Sequence, residues 1–317
     1  MTLFLKDEDV AQCVTMDGML EAIESMQQHY GNGEAHNMTR RKVIADSGML
    51  SVMGGGLFHL GLLGVKTYTV VKGSYSFQVS LYDANTGELL CYTQANRLGQ
   101  LRTGASTGVS VKHLANPGDV TVGIIGTGGQ APTQLEAVSK VRNIKSVKAF
   151  SRTQDRREAF ASRMTESMGI DVSAAATNED AVRGCDVVLC VAATMDPVVE
   201  GAWLKDGSTV IGAGPTTWRA REVDEATITR AGKIIVDSTE QAGIEAGDLC
   251  SAVDKGLIQW SKVHELRHVV SGAVTGRDNA GQIVYAKIMG TGVADVAAAK
   301  LAYDMAKAKG LGQEMDW

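Results

Sequence analysis

The sequence predicts an α/β protein: a parallel-sheet domain preceded by a smaller α+β unit. Three observations carry this. From Arg40 to Tyr92 the apolar residues recur with a period of two, as in strands. From Val120 onward, short apolar runs alternate with helical periodicity, the pattern of a parallel sheet covered by helices on both faces. Between those runs, Gly126-Thr127-Gly128-Gly129-Gln130-Ala131 directly follows a strand pattern and opens a helix. A chain of 317 residues is long enough for two domains.

The elements follow in order. Thr15 to Tyr30 reads as an amphipathic helix: Thr15 suits an N-cap, Met19, Leu20, Ile23 and Met26 fall at helical spacing, and Gly31-Asn32-Gly33 stops it. Strands are predicted over Arg41–Ala45, Met49–Met53 and Val65–Val71. Phe77–Tyr82 and Glu88–Thr93 flank a turn-rich loop at Asp83-Ala84-Asn85-Thr86-Gly87, suited to a hairpin. Leu98 to Leu114 is a helix rich in small residues, and Asn116-Pro117-Gly118-Asp119 breaks the chain at a domain boundary. Beyond it come the strand Val120–Ile125, a helix to about Val141, the strand Ser146–Phe150 and the helix Asp155–Met168. Asp186–Ala192, Thr209–Gly212 and Lys233–Asp237 supply three further strands. Gly292 to Lys309 is an Ala-rich helix that periodicity assigns to neither domain.

Composition excludes several functions. With 31 basic against 36 acidic residues and a net charge of -5, nothing in the charge balance argues for nucleic acid or an anionic membrane as partner. No apolar run reaches the roughly 18 residues of a membrane-spanning helix. The start, Met1-Thr2-Leu3-Phe4-Leu5-Lys6-Asp7-Glu8-Asp9, turns acidic too early for a secretory signal. Five scattered cysteines form no CxxC pair and no metal spacing, so buried thiols and a cytoplasmic location are expected, with no metal.

The GxGxxA run has the form of a dinucleotide fingerprint. Gly126 would permit the tight turn, Gly128 would let backbone approach a pyrophosphate, and Ala131 would allow close helix–strand packing. Thr127, Gly129 and Gln130 complete the loop, and the helix N-terminus offers free N–H groups to phosphate oxygens. Where a carboxylate would read the ribose of NAD, the sequence has Ser151-Arg152-Thr153. Arg152 leans toward NADP, although a plain surface arginine would fit there too.

The first domain places cations inside strand-like or small-residue segments: Arg40, Arg41, Lys66 and Arg102. Burying such groups is expensive without a partner, and an anionic substrate could be that partner. Taken singly, each also fits a solvent-facing edge.

Together with the fingerprint, these segments resemble the ornithine cyclodeaminase/mu-crystallin family. The similar stretches are Arg41-Lys42-Val43-Ile44, Gly64-Val65-Lys66, Leu101-Arg102-Thr103, Ile125 to Ala131, Ser151-Arg152-Thr153, Arg221-Glu222-Val223-Asp224, Val236-Asp237-Ser238, Glu245-Ala246-Gly247-Asp248 and Gly290 to Asp295. They span nearly the whole chain. The resemblance implies a Rossmann domain over 116–283. It also implies a substrate-binding and dimerisation domain over 1–115, rejoined by 284–317, in a homodimer. It further implies NAD(P) chemistry at a carbon bearing an amino or imino nitrogen, with Gly290 among the cofactor-binding positions. Arg41, Lys66 and Arg102 fall on the family's substrate-carboxylate positions, and Lys66 either joins that grip or protonates the nitrogen.

One departure sets the expected reaction. Cyclodeaminases carry an aspartate near the position of Thr216, and Gly214-Pro215-Thr216-Thr217-Trp218-Arg219 contains no carboxylate. Without that base, loss of ammonia lacks its proton acceptor. The expectation is therefore NAD(P)H-dependent reduction of a small α-imino acid to the L-amino acid, with Thr216 and Trp218 lining the substrate. Arg40 and Arg219 add cations that favour a dicarboxylic imine such as iminosuccinate, reduced to aspartate. The competing expectations are an ornithine cyclodeaminase-type lyase that recycles NAD, a reductase of cyclic ketimines or an alanine dehydrogenase-like enzyme, and a non-catalytic binding role of the mu-crystallin kind.

Overall fold

A computed structural model describes residues 1–316. The strands of the first sheet begin with β1 (Thr2–Leu5), β2 (Ala35–Ala45), β3 (Gly48–Leu57), β4 (Leu62–Val71), β5 (Ser74–Asp83) and β6 (Leu89–Gln94). The second sheet comprises β7 (Val120–Ile125), β8 (Ile144–Phe150), β9 (Val172–Ala174), β10 (Val187–Cys190), β11 (Thr209–Gly212), β12 (Ala231–Val236), β13 (Val263–Glu265) and β14 (Ile283–Lys287). The last strand, β15 (Gln313–Met315), returns to the first sheet beside β1. The helices are α1 (Asp7–Cys13), α2 (Met16–Gly31), α3 (Asn96–Leu114), α4 (Ala131–Val141), α5 (Gln154–Met168), α6 (Asn178–Val182), α7 (Glu225–Arg230), α8 (Thr239–Glu245), α9 (Gly247–Asp254), α10 (Leu266–Val270) and α11 (Gly292–Lys309).

The chain divides into two compact units, Met1–Ser106 with the segment from Gly290 onward, and Thr107–Met289. Where the sequence placed boundaries at 115/116 and 283/284, contacts divide inside α3 and after β14. The reason is local. The first half of α3 carries Arg102 to Asp295 of α11 in the first unit, while Leu114 at its end accepts hydrogen bonds from Thr209 and Arg277 of the second unit. Strand β14, read by no apolar alternation, is buried at every position between β11 and β12.

In the first unit the strand order is β15-β1-β6-β5-β4-β3-β2, and β2 to β6 form an antiparallel meander. The expected strands all appear, the first four extended at one or both ends and the fifth shifted by one residue to Leu89–Gln94. Thr15 caps α2 by accepting from the Gly18 N–H, and Met19, Leu20, Ile23 and Met26 are buried. α11 packs on β3, β4 and α2. Its approach is set at Gly55, where a Cβ would stand 2.5 Å from the Val293 Cα, closer than any side chain allows. Only glycine lets the first turn of α11 sit this close to the sheet.

The second unit is an eight-stranded parallel sheet ordered β13-β12-β14-β11-β10-β7-β8-β9. Every residue of β10, β11 and β14 is buried, as two-sided coverage by helices demands. No helix among the described residues is long and apolar enough to cross a membrane.

Candidate functional site

In the first unit, three cations and one carboxylate converge. Lys66 lies mid-strand on β4, opposite Met53 of β3 and Val79 of β5, and is 3% exposed. Its Nζ donates to Asp295 Oδ1 at 3.1 Å and stands 5.2 Å from the centre of the Phe77 ring. Arg102, in α3, donates from Nε to the same oxygen at 2.8 Å. Arg40 donates from Nη2 to the Gly290 carbonyl at 3.3 Å and contacts the Met53 sulfur at 3.2 Å. Gly290 has φ of +78°, and a Cβ there would overlap Arg102 Nη1. Backbone and guanidinium can share that space only because the residue is glycine.

These contacts reassign one expected residue. Arg41 was matched to the carboxylate positions, with Arg40 as an additional cation. A bulge between Met38 and Arg41 breaks the pairing of β2 with β3, so Thr39 and Arg40 are both buried and Arg41 is exposed. Arg40 therefore accompanies Lys66 and Arg102. Gly290, expected with the cofactor, lies in this cluster within its own unit.

Electrostatics follow from the enclosure. Burial, and then the neighbouring Arg102, push the Lys66 ammonium down to about 8, with Arg40 adding to the effect while Asp295 opposes it. Lys66 and Arg102 share a single oxygen of a single carboxylate, so that trio carries one positive charge in excess. A lysine poised near neutrality can both hold and release a proton.

The second unit carries the fingerprint as expected from its context. Gly126 has φ of +105°, and a Cβ there would stand 2.8 Å from Val191 and Ala192 backbone. Gly128 is exposed, and a Cβ there would meet no atom within 4 Å. α4 starts at Ala131, which is buried, with Pro132 in its first turn. This tight turn, open space and helix N-terminus fit a dinucleotide pyrophosphate. Thr127 Oγ1 donates to Ser151 Oγ at 2.9 Å, joining the fingerprint loop to the end of β8, where Arg152 and Thr153 are exposed. Thr216 is half-buried; Trp218 is 62% exposed, with the Arg219 guanidinium 5.3 Å from its ring centre.

Sequence reasoning missed two groups. One is Asp295, quoted within Gly290 to Asp295 but given no role, although a carboxylate in an otherwise apolar helix turn is a signal. The other is a buried ion cluster in the second unit. Lys287 Nζ lies 2.5 Å from Glu222 Oε2 and 3.1 Å from Asp248 Oδ2. Glu222 Oε1 accepts from the Gly214 N–H, and Asp248 Oδ1 accepts from the Glu222 and Val223 N–H groups. Burial lowers the proton affinity of Lys287, but Glu222 and Asp248 outweigh it and hold the ammonium above its ordinary range. The cluster ties the 213–219 loop to β14. A lysine inside the apolar run Ile283-Val284-Tyr285-Ala286-Lys287 was its sequence signal.

Fold and fingerprint together define a Rossmann-type dinucleotide-binding protein with a second, cation-bearing α+β unit. The chain belongs to the ornithine cyclodeaminase/mu-crystallin family, whose model matches residues 1–310. It is 34% identical over 266 residues to a Delta(1)-pyrroline-2-carboxylate reductase of Bacillus cereus, covering 81% of this chain and 82% of the relative. An iminosuccinate reductase of Paracoccus denitrificans is 26% identical over 325 residues, 99% of each chain. The structure of Thermococcus litoralis Delta(1)-pyrroline-2-carboxylate reductase in complex with NADH and L-proline is similar with a TM-score of 0.95. Identity to that protein is 29%, covering 99% of this chain and 100% of that one.

Proposed function

We propose that this enzyme reduces the C=N bond of a small α-imino acid to the α-amino acid, using NAD(P)H. The observation that carries the reading is the buried group of Lys66, Arg102 and Asp295, whose excess positive charge suits one substrate carboxylate. Arg40 and Arg102 hold the carboxylate, since guanidinium groups offer a planar fork to it. The carbon of the C=N bond gains a hydride, and the nitrogen gains a proton from Lys66 Nζ. The bound dinucleotide supplies that hydride from its reduced nicotinamide ring. In the second unit, the Gly126–Ala131 loop and the start of α4 hold the pyrophosphate, with Ser151 and Arg152 toward the ribose. Arg152 supports acceptance of NADPH, and the similar Thermococcus litoralis reductase was solved with NADH, so both belong to the cofactor class.

The placement of the cations removes the case for a dicarboxylic imine and favours a monocarboxylic one. The dicarboxylic expectation rested on Arg40 and Arg219 as extra cations. Arg40 now stands within the primary group, and Arg219 rests on the exposed Trp218. Likeness to the iminosuccinate reductase keeps that substrate in the test. Five free thiols, four of them buried, support a reducing, cytoplasmic setting. Bare apolar side chains on the β2–β3 hairpin, Val43 at 66% and Ile44 at 78% exposure, support a homodimer.

A panel of cyclic imines, and of 2-oxo acids with ammonium, tests the function with NADH and NADPH by loss of nicotinamide absorbance. The expected result is turnover, faster on Δ1-pyrroline-2-carboxylate than on iminosuccinate, and no ammonia release from ornithine. A folded, dinucleotide-binding protein that turns over no imine contradicts it.

A further inference from the structure

Asp295 sits in the first turn of α11, 1% exposed, pressed to the sheet by the close approach at Gly55. Its Oδ1 receives both Lys66 and Arg102, while Oδ2 is buried with no hydrogen-bond partner among the described residues. A carboxylate placed only to satisfy two cations would spread them over two oxygens, as a forked guanidinium pair does. Here one oxygen is shared, so the hold on Lys66 and the hold on Arg102 are coupled.

The surroundings of Lys66 explain what the carboxylate must do. Arg40 from β2 and Arg102 from α3 face it with positive charge, and Asp295 from α11 faces it with negative charge. β3 and β5 contribute Met53, Val79 and the Phe77 ring, none of which titrates. Burial and both guanidinium groups favour the neutral amine, and Asp295 favours the ammonium. A neutral amine has no proton to give to a substrate nitrogen.

We propose that Asp295 is a positioning residue that keeps Lys66 protonated and aimed, through one oxygen shared with Arg102. When a substrate carboxylate takes part of Arg102's hydrogen bonding, Asp295 is left more fully to Lys66, so binding firms the hold on the proton until it is delivered. The proposal rests on the proton-donor role given to Lys66 above, and its test separates the two.

Lysine labelled with carbon-13 at Cε, with Lys66 assigned through Lys66→Arg, reports the titration without any turnover. The wild-type midpoint is expected near 8. Asp295→Asn lowers it by about one pH unit or more, and the alkaline limb of kcat/KM moves with it, leaving at least about fivefold less activity at pH 8. Asp295→Glu keeps the charge but not the reach, so its midpoint stays near wild type while kcat falls about tenfold. A midpoint unmoved in Asp295→Asn overturns the proposal. If Asp295→Asn does not fold, an unchanged kcat in Asp295→Glu overturns it equally. A midpoint that moves while the kcat/KM limb does not upholds Asp295's hold and removes Lys66 as the donor, a failure of the functional reading alone.

Discussion

Replacing Gly290 by alanine is the sharpest single perturbation of the cation group. The residue sits at φ +78°, where an L side chain costs about 1–2 kcal/mol. The new Cβ would overlap Arg102 Nη1 and stand 2.9 Å from both Cζ and Nη2. Ordinary contacts need about 3.5–4.0 Å and Nη1 lies closest of all, so the guanidinium must retreat by more than about 1 Å. A misplacement of about 1 Å in a positioning group can cost roughly 100-fold in rate. Gly290→Ala should therefore lower kcat/KM for the imine by about 100-fold while costing only about 1–2 kcal/mol of stability. Steady-state kinetics beside a denaturant melt measures both. A folded variant whose kcat/KM stays within twofold of wild type would refute the placement of Arg102 in substrate binding.

Further outcomes follow from the same geometry. With Lys66 as the proposed acid, depressed to about 8, kcat/KM should be level below that pH and fall about tenfold per unit above it; a flat profile to pH 10 contradicts the role. The two fingerprint glycines should part company. Gly126→Ala, at φ +105° against Val191 and Ala192, should destabilise the fold, whereas Gly128→Ala should leave the melting temperature unchanged and weaken NADH binding about tenfold or more, read by fluorescence titration. Lys287→Met strands Glu222 and Asp248 as buried acids and should cost about 3–5 kcal/mol in denaturant unfolding.

Much of the fold was legible because short apolar runs and helical spacing alternate along the chain. Val120–Ile125, Thr209–Gly212 and Gly292–Lys309 appear in the structure with the bounds that their apolar spacing gave. The three-residue strand β9 was missed, and so were helices α6 to α10, whose five to eight residues make barely two helical turns and too few repeats of a 3.6-residue period. β14 was missed although Ile283-Val284-Tyr285-Ala286 is an apolar run like those that gave β10 and β11. The site was legible as a set of residue types, not as a geometry. Lys66 and Arg102 stood out as cations in apolar surroundings, but choosing Arg40 over Arg41 needed the bulge after Met38, which shows only in the register of β2 against β3. Asp295 and Lys287 carry the same lesson, because a buried charge announces a partner without naming it.

The proposed reaction requires the buried guanidinium groups to grip a carboxylate. Binding of pyrrole-2-carboxylate, a planar acid that cannot be reduced at a C=N bond, to the NADH-saturated protein measures that grip by calorimetry. Arg102→Met should weaken this binding about 10–100-fold, with NADH affinity of the free protein within threefold of wild type. Equal affinity for the acid in wild type and variant would contradict it.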